Sequence, residues 1–290
     1  MPIHDQGYRR YAGRRAPRGQ GWSVITRAGI RTFLAKRAFL ALLLLSWIRF
    51  LIEAVRIYLA TNVSQVTANL PPAGQSLLAV NAQTFHDMLD SWFVNLVVFL
   101  ITVYVGAGLI ANDRRANALQ IYLSKPLTRA EYVFGKLGIL MSFLLFATWV
   151  PAMALLLVQI AFAGSFRFLL GNLYLIPAIT VFAFVEVTTI SVAMLALSAL
   201  SKSGRYVGIL YTALTFFSGA VYAVLLGVTR STAFAWISFS ANISQIGDVI
   251  FRLPHRYQSP WPVSLLMIVI VLVVSGVVLE RRVRGVEVVS

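Results

Sequence analysis

The chain has 290 residues, 59% of them hydrophobic and only 12% charged, and 25 Lys+Arg against 10 Asp+Glu leave a formal net charge of +15. An average soluble chain is about 45–50% apolar and about 25% charged, so too little charge remains here to cover a water-facing surface. Nucleic-acid binding pairs positive charge with high overall polarity, whereas these basic residues punctuate long apolar runs, as in a polytopic membrane protein.

Residues 1–37 are a basic leading segment. Tyr8 to Arg18 is Arg- and Gly-rich and reads as a disordered arm held at anionic headgroups. Behind it, Trp22, Ile25, Ala28 and Phe33 interleave with Arg27, Arg31, Lys36 and Arg37 in the pattern of an amphipathic interface helix. Residues 38–280 form the transmembrane domain. A bilayer core takes roughly 20 apolar residues in helix, and six segments meet that length, at about 38–60, 91–111, 137–163, 173–200, 207–228 and 262–279. None alternates with period two, and lipid offers unpaired backbone groups no partner, so the spans are helices and the fold class is all-α. Residues 281–290 are a basic tail.

Three features between the spans carry expectations. In the first outer connection Leu78, Ala82, Phe85, Leu89 and Trp92 stand at helical spacing, which predicts an external amphipathic helix leading into the second span. Pro151 predicts a kink in the third span. The outer loop 229–261 has a hydrophobic middle around Ile243, Ile246 and Phe251, closed by Pro254, and is too short to cross; it predicts short helices at or within the outer leaflet. Asn62 and Asn242 begin glycosylation triplets by pattern alone.

The cations set the orientation. The leading segment, the second and fourth connections and the tail hold nineteen Lys and Arg. The other side holds four, Arg167, Arg230, Arg252 and Arg256. That asymmetry places both termini in the cytoplasm, and an even number of spans agrees. Arg49 and Arg56 lie inside the first span with Glu53. At 100° per residue the three fall within an arc of roughly 60°, so Glu53 can pair with both arginines. Charges in spans are costly and face protein or water, so this face points inward. Glu186, mid-way along the fourth span, has no local cation and is either neutral or paired with the surplus charge of that cluster, where it would tune a conformational switch. The intramembrane charge set is thus Arg49, Glu53, Arg56 and Glu186.

Covalent chemistry finds no support. Cysteine is absent, and His4, His86 and His255 are too widely spaced for a local ligand pair, so no metal is expected. There is no Ser/His/Asp constellation and no H-E-x-x-H. No G-x-x-x-x-G-K-[ST] occurs, so the chain cannot hold nucleotide phosphates in the Walker manner.

The most informative stretch is the second connection, 112–136. Leu119, Tyr122 and Leu123 give a short helix an apolar face, Pro126 stops it at Lys125, and Thr128-Arg129-Ala130-Glu131 is a capping box that starts the next helix. Asp113, Leu119, Leu123-Ser124-Lys125-Pro126-Leu127-Thr128-Arg129, Tyr132 and Gly135-Lys136 together resemble the permease subunits of ABC type-2 transporters. The chain departs from that pattern at Asn117-Ala118, where the family usually has Gly-Thr. The resemblance implies a six-span permease in the plasma (inner) membrane, of exporter type, whose second connection docks on a separate ATPase. Asp113, Leu119, Leu123, Pro126, Thr128, Arg129 and Glu131 would carry that coupling. It also implies a second permease half, ATP and Mg on the partner chain, no cofactor on this one, and an outer loop near the pathway exit. A membrane-embedded scaffold subunit and an intramembrane enzyme are the alternative readings.

Overall fold

The computed structural model describes residues 20–62, 71, 78–117, 127–163 and 167–283, and every regular element among them is helical. A 14-residue helix, α1 (Gly21–Leu34), leads. Six helices long and apolar enough to cross a membrane follow: α2 (Arg37–Asn62), α3 (Ala82–Arg115), α4 (Arg129–Ala163), α5 (Leu175–Leu200), α6 (Gly204–Thr229) and, after the short α7 (Phe239–Ile250), α8 (Trp261–Arg282). The Arg/Gly-rich arm and the expected coupling residues Leu119, Leu123 and Pro126 lie outside the described residues.

All six expected spans are present, but their ends and continuity differ for identifiable reasons. α3 begins at Ala82, because Asn81 accepts from the Thr84 amide and Thr84 Oγ1 accepts from the Asn81 amide, a reciprocal cap. Phe85 and Leu89 are fully buried, so the stretch expected to lie outside as an amphipathic helix is packed into the bundle. α4 starts from the capping box at Thr128, eight residues ahead of the expected span. At 1.5 Å per residue α3 and α4 run about 51 and 53 Å, well beyond a hydrocarbon core of about 30 Å.

Each of the first three spans is interrupted. In α2 the break falls between Leu45 and Ile48, where Ser46 Oγ donates back to Leu43 O at 2.6 Å. In α4 it falls at Thr148 rather than at Pro151 itself. Proline has no N–H for the Ala147 carbonyl and its ring crowds that carbonyl, so the ladder fails one turn upstream. α3 passes through a π turn at Thr102–Gly106 and irregular turns to Ile110. There Ser198 Oγ, fully buried on α5, accepts from the Ile110 and Ala111 amides at 3.0 Å each and donates to Ala107 O at 3.0 Å. One hydroxyl thus satisfies three backbone groups that the helix leaves open.

α5 is the most buried span and α6 the least, with 6% of its most apolar window inside. α8 and α4 pack on α5, α2 packs on the second half of α4, and α7 lies against α5, α6 and α8. At the end of the bundle where α4 starts and α5 ends, hereafter the basic face, α1 lies along the first half of α4. Two glycines permit this approach: a Cβ on Gly135 would sit 2.8 Å from Ile25 Cβ and 3.1 Å from Trp22 O, and one on Gly138 would sit 2.7 Å from Thr26 Oγ1. The expected interface helix is therefore docked on protein through Ile25 and Thr26, while Trp22 and Val24 stay exposed.

A Cβ on Gly138 lies 3.6 Å from Thr26 Cβ, inside the roughly 3.5–4.5 Å range of disulfides. The double variant Thr26→Cys/Gly138→Cys, in a chain with no other cysteine, is expected to oxidise to an intrachain disulfide, read by mass before and after reduction. Free thiols after oxidation would refute the seating of α1.

Candidate functional site

At the basic face α3 and α4 approach each other on either side of residues 118–126, and four residues singled out in the sequence meet there. Asp113, at the end of α3, pairs with Lys136 Nζ at 2.7 Å and accepts from the Tyr132 hydroxyl at 2.7 Å. Lys136 Nζ also stands over the Tyr132 ring, 5.5 Å from its centre, within the about 6 Å over which a ring face attracts a cation. Gly135, between them in sequence, admits α1. Arg114 donates to the Ala199 carbonyl at the end of α5, so α3 is tied to α4 and α5 within two residues.

Glu131 extends this node to α1. Its Oε2 accepts from the Thr128 amide at 2.8 Å and hydroxyl at 2.9 Å, while Oε1 accepts from the Gly21 amide at 3.2 Å. One carboxylate therefore caps the N-termini of α4 and α1 together, where backbone N–H groups are open and negative charge is favoured. Thr128 and Arg129 are exposed beside it. Asn117 ends α3 with φ 51°, the left-handed conformation that Gly and Asn adopt most readily.

The first-span charges also meet as expected, without their fourth member. Glu53, 4% exposed, takes Arg49 Nη2 at 2.6 Å and Arg56 Nε at 2.5 Å, and Arg56 Nη2 reaches Thr84 Oγ1 on α3 at 3.1 Å. Glu186 pairs with neither arginine. It stands on the central span α5, faces a different part of the bundle, and keeps Oε2 buried without a hydrogen-bond donor.

Glu186 lines a cavity of about 470 Å³. Its walls come from the start of α3 (Asp90, Asn95, Phe99), from α5 (Glu186), from α6 (Tyr211, Phe216) and from α7. The rings form one continuous wall: Phe99 stacks on Tyr211 at 5.6 Å and meets Phe216 edge-on at 4.9 Å. Asp90 accepts from Asn95 Nδ2 at 2.9 Å and lies 3.5 Å from Arg256 Nη1.

Behind Asp90 a polar network runs from the buried His86 and Asp248 out to the exposed Arg256. Arg256 binds Asp248 through Nε and Nη2, at 2.9 and 2.7 Å. Burial opposes the charge on Arg256, but the hydrogen bond and charge of Asp248, with Asp90 further off, hold the guanidinium above its ordinary value. His86, fully buried, sits 3.8 Å from Asp248 Oδ1 and 3.9 Å from Asp90 Oδ2, between the rings of Phe182 and Phe251. Gly247 makes room for it, since a Cβ there would lie 2.4 Å from His86 Nε2. Among the described residues no three or more His, Asp or Glu have the arrangement of a metal site. α7 supplies further internal bonds: Gln245 Oε1 accepts from Ser264 Oγ at 2.6 Å, and Asn242 Nδ2 donates to Trp236 O and Ser238 O at 2.8 Å. Asn242 is buried, which removes it as a glycosylation acceptor.

Reading the sequence alone passes over His86, Asp90, Asp248 and Arg256. A signal existed: His86 and Asp90 are four apart on one helical face, and Asp248 and Arg256 are rare charges on the sparsely charged side of the spans. The sequence matches no family model, and no curated protein is significantly similar to it.

The geometry of the first-span cluster sets a stability prediction. Glu53→Gln leaves two guanidinium groups facing each other without their shared carboxylate, and is expected to destabilise the purified protein by on the order of 3 kcal/mol. Thermal unfolding in detergent checks this, and an unchanged midpoint would show that the cluster does not hold α2.

Proposed function

We propose that this chain is the membrane-spanning permease subunit of an ATP-binding cassette transporter of exporter type, working with a separate ATPase chain and a second permease half. The observation that carries this reading is the convergence of Asp113, Tyr132 and Lys136. These residues, at the two ends of the second connection and quoted above for their resemblance to ABC type-2 permeases, form one bonded node between α3 and α4. Six helices of spanning length supply the necessary frame.

In this reading residues 118–126 receive the ATPase. A displacement there passes into α3 and α4 through Asp113, Lys136 and Tyr132, and into α1 through Glu131. α3 is the element that matters most, because its other end carries Asp90, Asn95 and Phe99 into the cavity. ATP-driven closure of the partner would thus reach a ligand-sized space about 30 Å away, along one helix. The cation asymmetry of the sequence supports cytoplasmic termini and a basic face directed at a cytoplasmic ATPase in the plasma membrane. The chain itself performs no covalent chemistry in this scheme.

The test is co-purification with an ABC ATPase expressed from the same locus, and the response of its hydrolysis rate to this chain. Arg129→Glu and Leu119→Pro are expected to abolish the association while leaving membrane insertion intact. Full recovery of the ATPase with both variants would refute the coupling role. Insertion and partner assembly without any bound ATPase would favour the scaffold reading instead.

A further inference from the structure

We propose that the cavity between α3, α5, α6 and α7 is a binding site for a lipophilic organic cation, a protonated or quaternary amine or phosphonium with an aromatic or alkyl body. The juxtaposition that points to it is a buried carboxylate without a donor, Glu186, facing an aromatic wall of Phe99, Tyr211 and Phe216 across a space of about 470 Å³. Pockets for drug-sized ligands span about 300–1,000 Å³, mostly apolar with a few fixed polar groups.

The charge balance selects the sign of the ligand. Asp90 and Glu186 line this space, Asp248 stands behind Asp90, and Arg256 is spent mainly on Asp248, reaching Asp90 only at 3.5 Å. An anionic ligand would stand beside Asp90 and Glu186 with no cation of its own to meet. A neutral apolar ligand would leave Glu186 Oε2 buried without a partner, which is costly. A bare metal ion is disfavoured as well, because hard cations collect about six to eight oxygens and this wall is built of rings. An organic cation answers both features at once: its charge meets Glu186 and Asp90, and the rings contact its body and attract its charge through their faces.

Glu186 could also be satisfied by a proton, and the experiment separates that from ligand binding. Binding itself does not depend on the ATPase; only the further step, that the bound cation is cargo, rests on the permease reading. The full chain is reconstituted in phosphatidylcholine nanodiscs, and saturable binding of radiolabelled tetraphenylphosphonium is measured above that of empty discs. Tetraphenylborate serves as the counterpart of equal shape and opposite charge.

The expected result is one saturable phosphonium site per chain, weakened roughly tenfold or more in Glu186→Gln and also weakened in Phe216→Ala, with no saturable borate site. Phe216 is half exposed, so its truncation leaves the core intact, and Glu186→Gln conserves shape. No saturable phosphonium binding, equal affinity for borate, or unchanged affinity in Glu186→Gln would each overturn the proposal. A carboxyl kept neutral by a proton would produce the last of these. Arg129→Glu, at the opposite end of the bundle, is expected to bind phosphonium as the parent does. Lost ATPase association with binding intact refutes nothing about the cavity, and lost binding with ATPase response intact refutes the cavity alone.

Discussion

The hydrogen bonds of Ser198 hold the architecture together. An apolar bundle offers few polar partners, so an irregular stretch of backbone survives only where another helix supplies them. α3 is irregular from Thr102 to Ile110, and α5 meets it there with a single buried hydroxyl that answers three backbone groups. Arg114 and Ala199 close the same seam one turn away. Because α5 is the central span, this junction fixes α3 against the core at its basic end. α3 then places Asp113 on one side of the bundle and Asp90 on the other.

The remaining polar groups divide by the kind of partner they find. On the basic face they bond across helix ends, where open amides and carbonyls already exist and a carboxylate such as Glu131 can serve two helices at once. On the opposite side they bond within a compact network of side chains, Arg256 with Asp248 and Asp90, and Gln245 with Ser264. α7 is the short element that makes this network possible. Twelve residues cannot cross a bilayer, but they can carry Asn242, Gln245 and Asp248 into the bundle while the flanking chain returns to the same side.

Much of this was legible in the amino-acid pattern because the signals were local. Apolar runs of spanning length gave six helices, Thr128 and Glu131 gave the start of α4, and the spacing of Arg49, Glu53 and Arg56 gave their pairing on one face. What was not legible depends on tertiary partners. Glu186 was expected either to stay neutral or to pair with the arginines of α2. It does not pair with them, because proximity in charge count is not proximity in space and α5 turns it toward α3 and α6. The break at Thr148 required knowing that a proline acts one turn upstream of itself. The placement of α3's first turns could not follow from amphipathicity, because an amphipathic face packs equally well on lipid headgroups or on protein. The i, i+4 pair of His86 and Asp90 was visible, but its completion by Asp248 and Arg256, which come from α7 and the loop after it, was not.

The sparse cover on α6 has a consequence for the cavity. Tyr211 is fully buried, but it and Phe216 belong to a span that the other described residues scarcely embrace, and Phe216, Ile209, Phe217, Val224 and Val228 on it are exposed. Among the described residues, the Phe216 edge of the site thus has no packed core behind it. Acyl chains or a neighbouring subunit would then set the lateral pressure on that wall, and the capacity of the site becomes a property of the surrounding membrane as much as of the polypeptide.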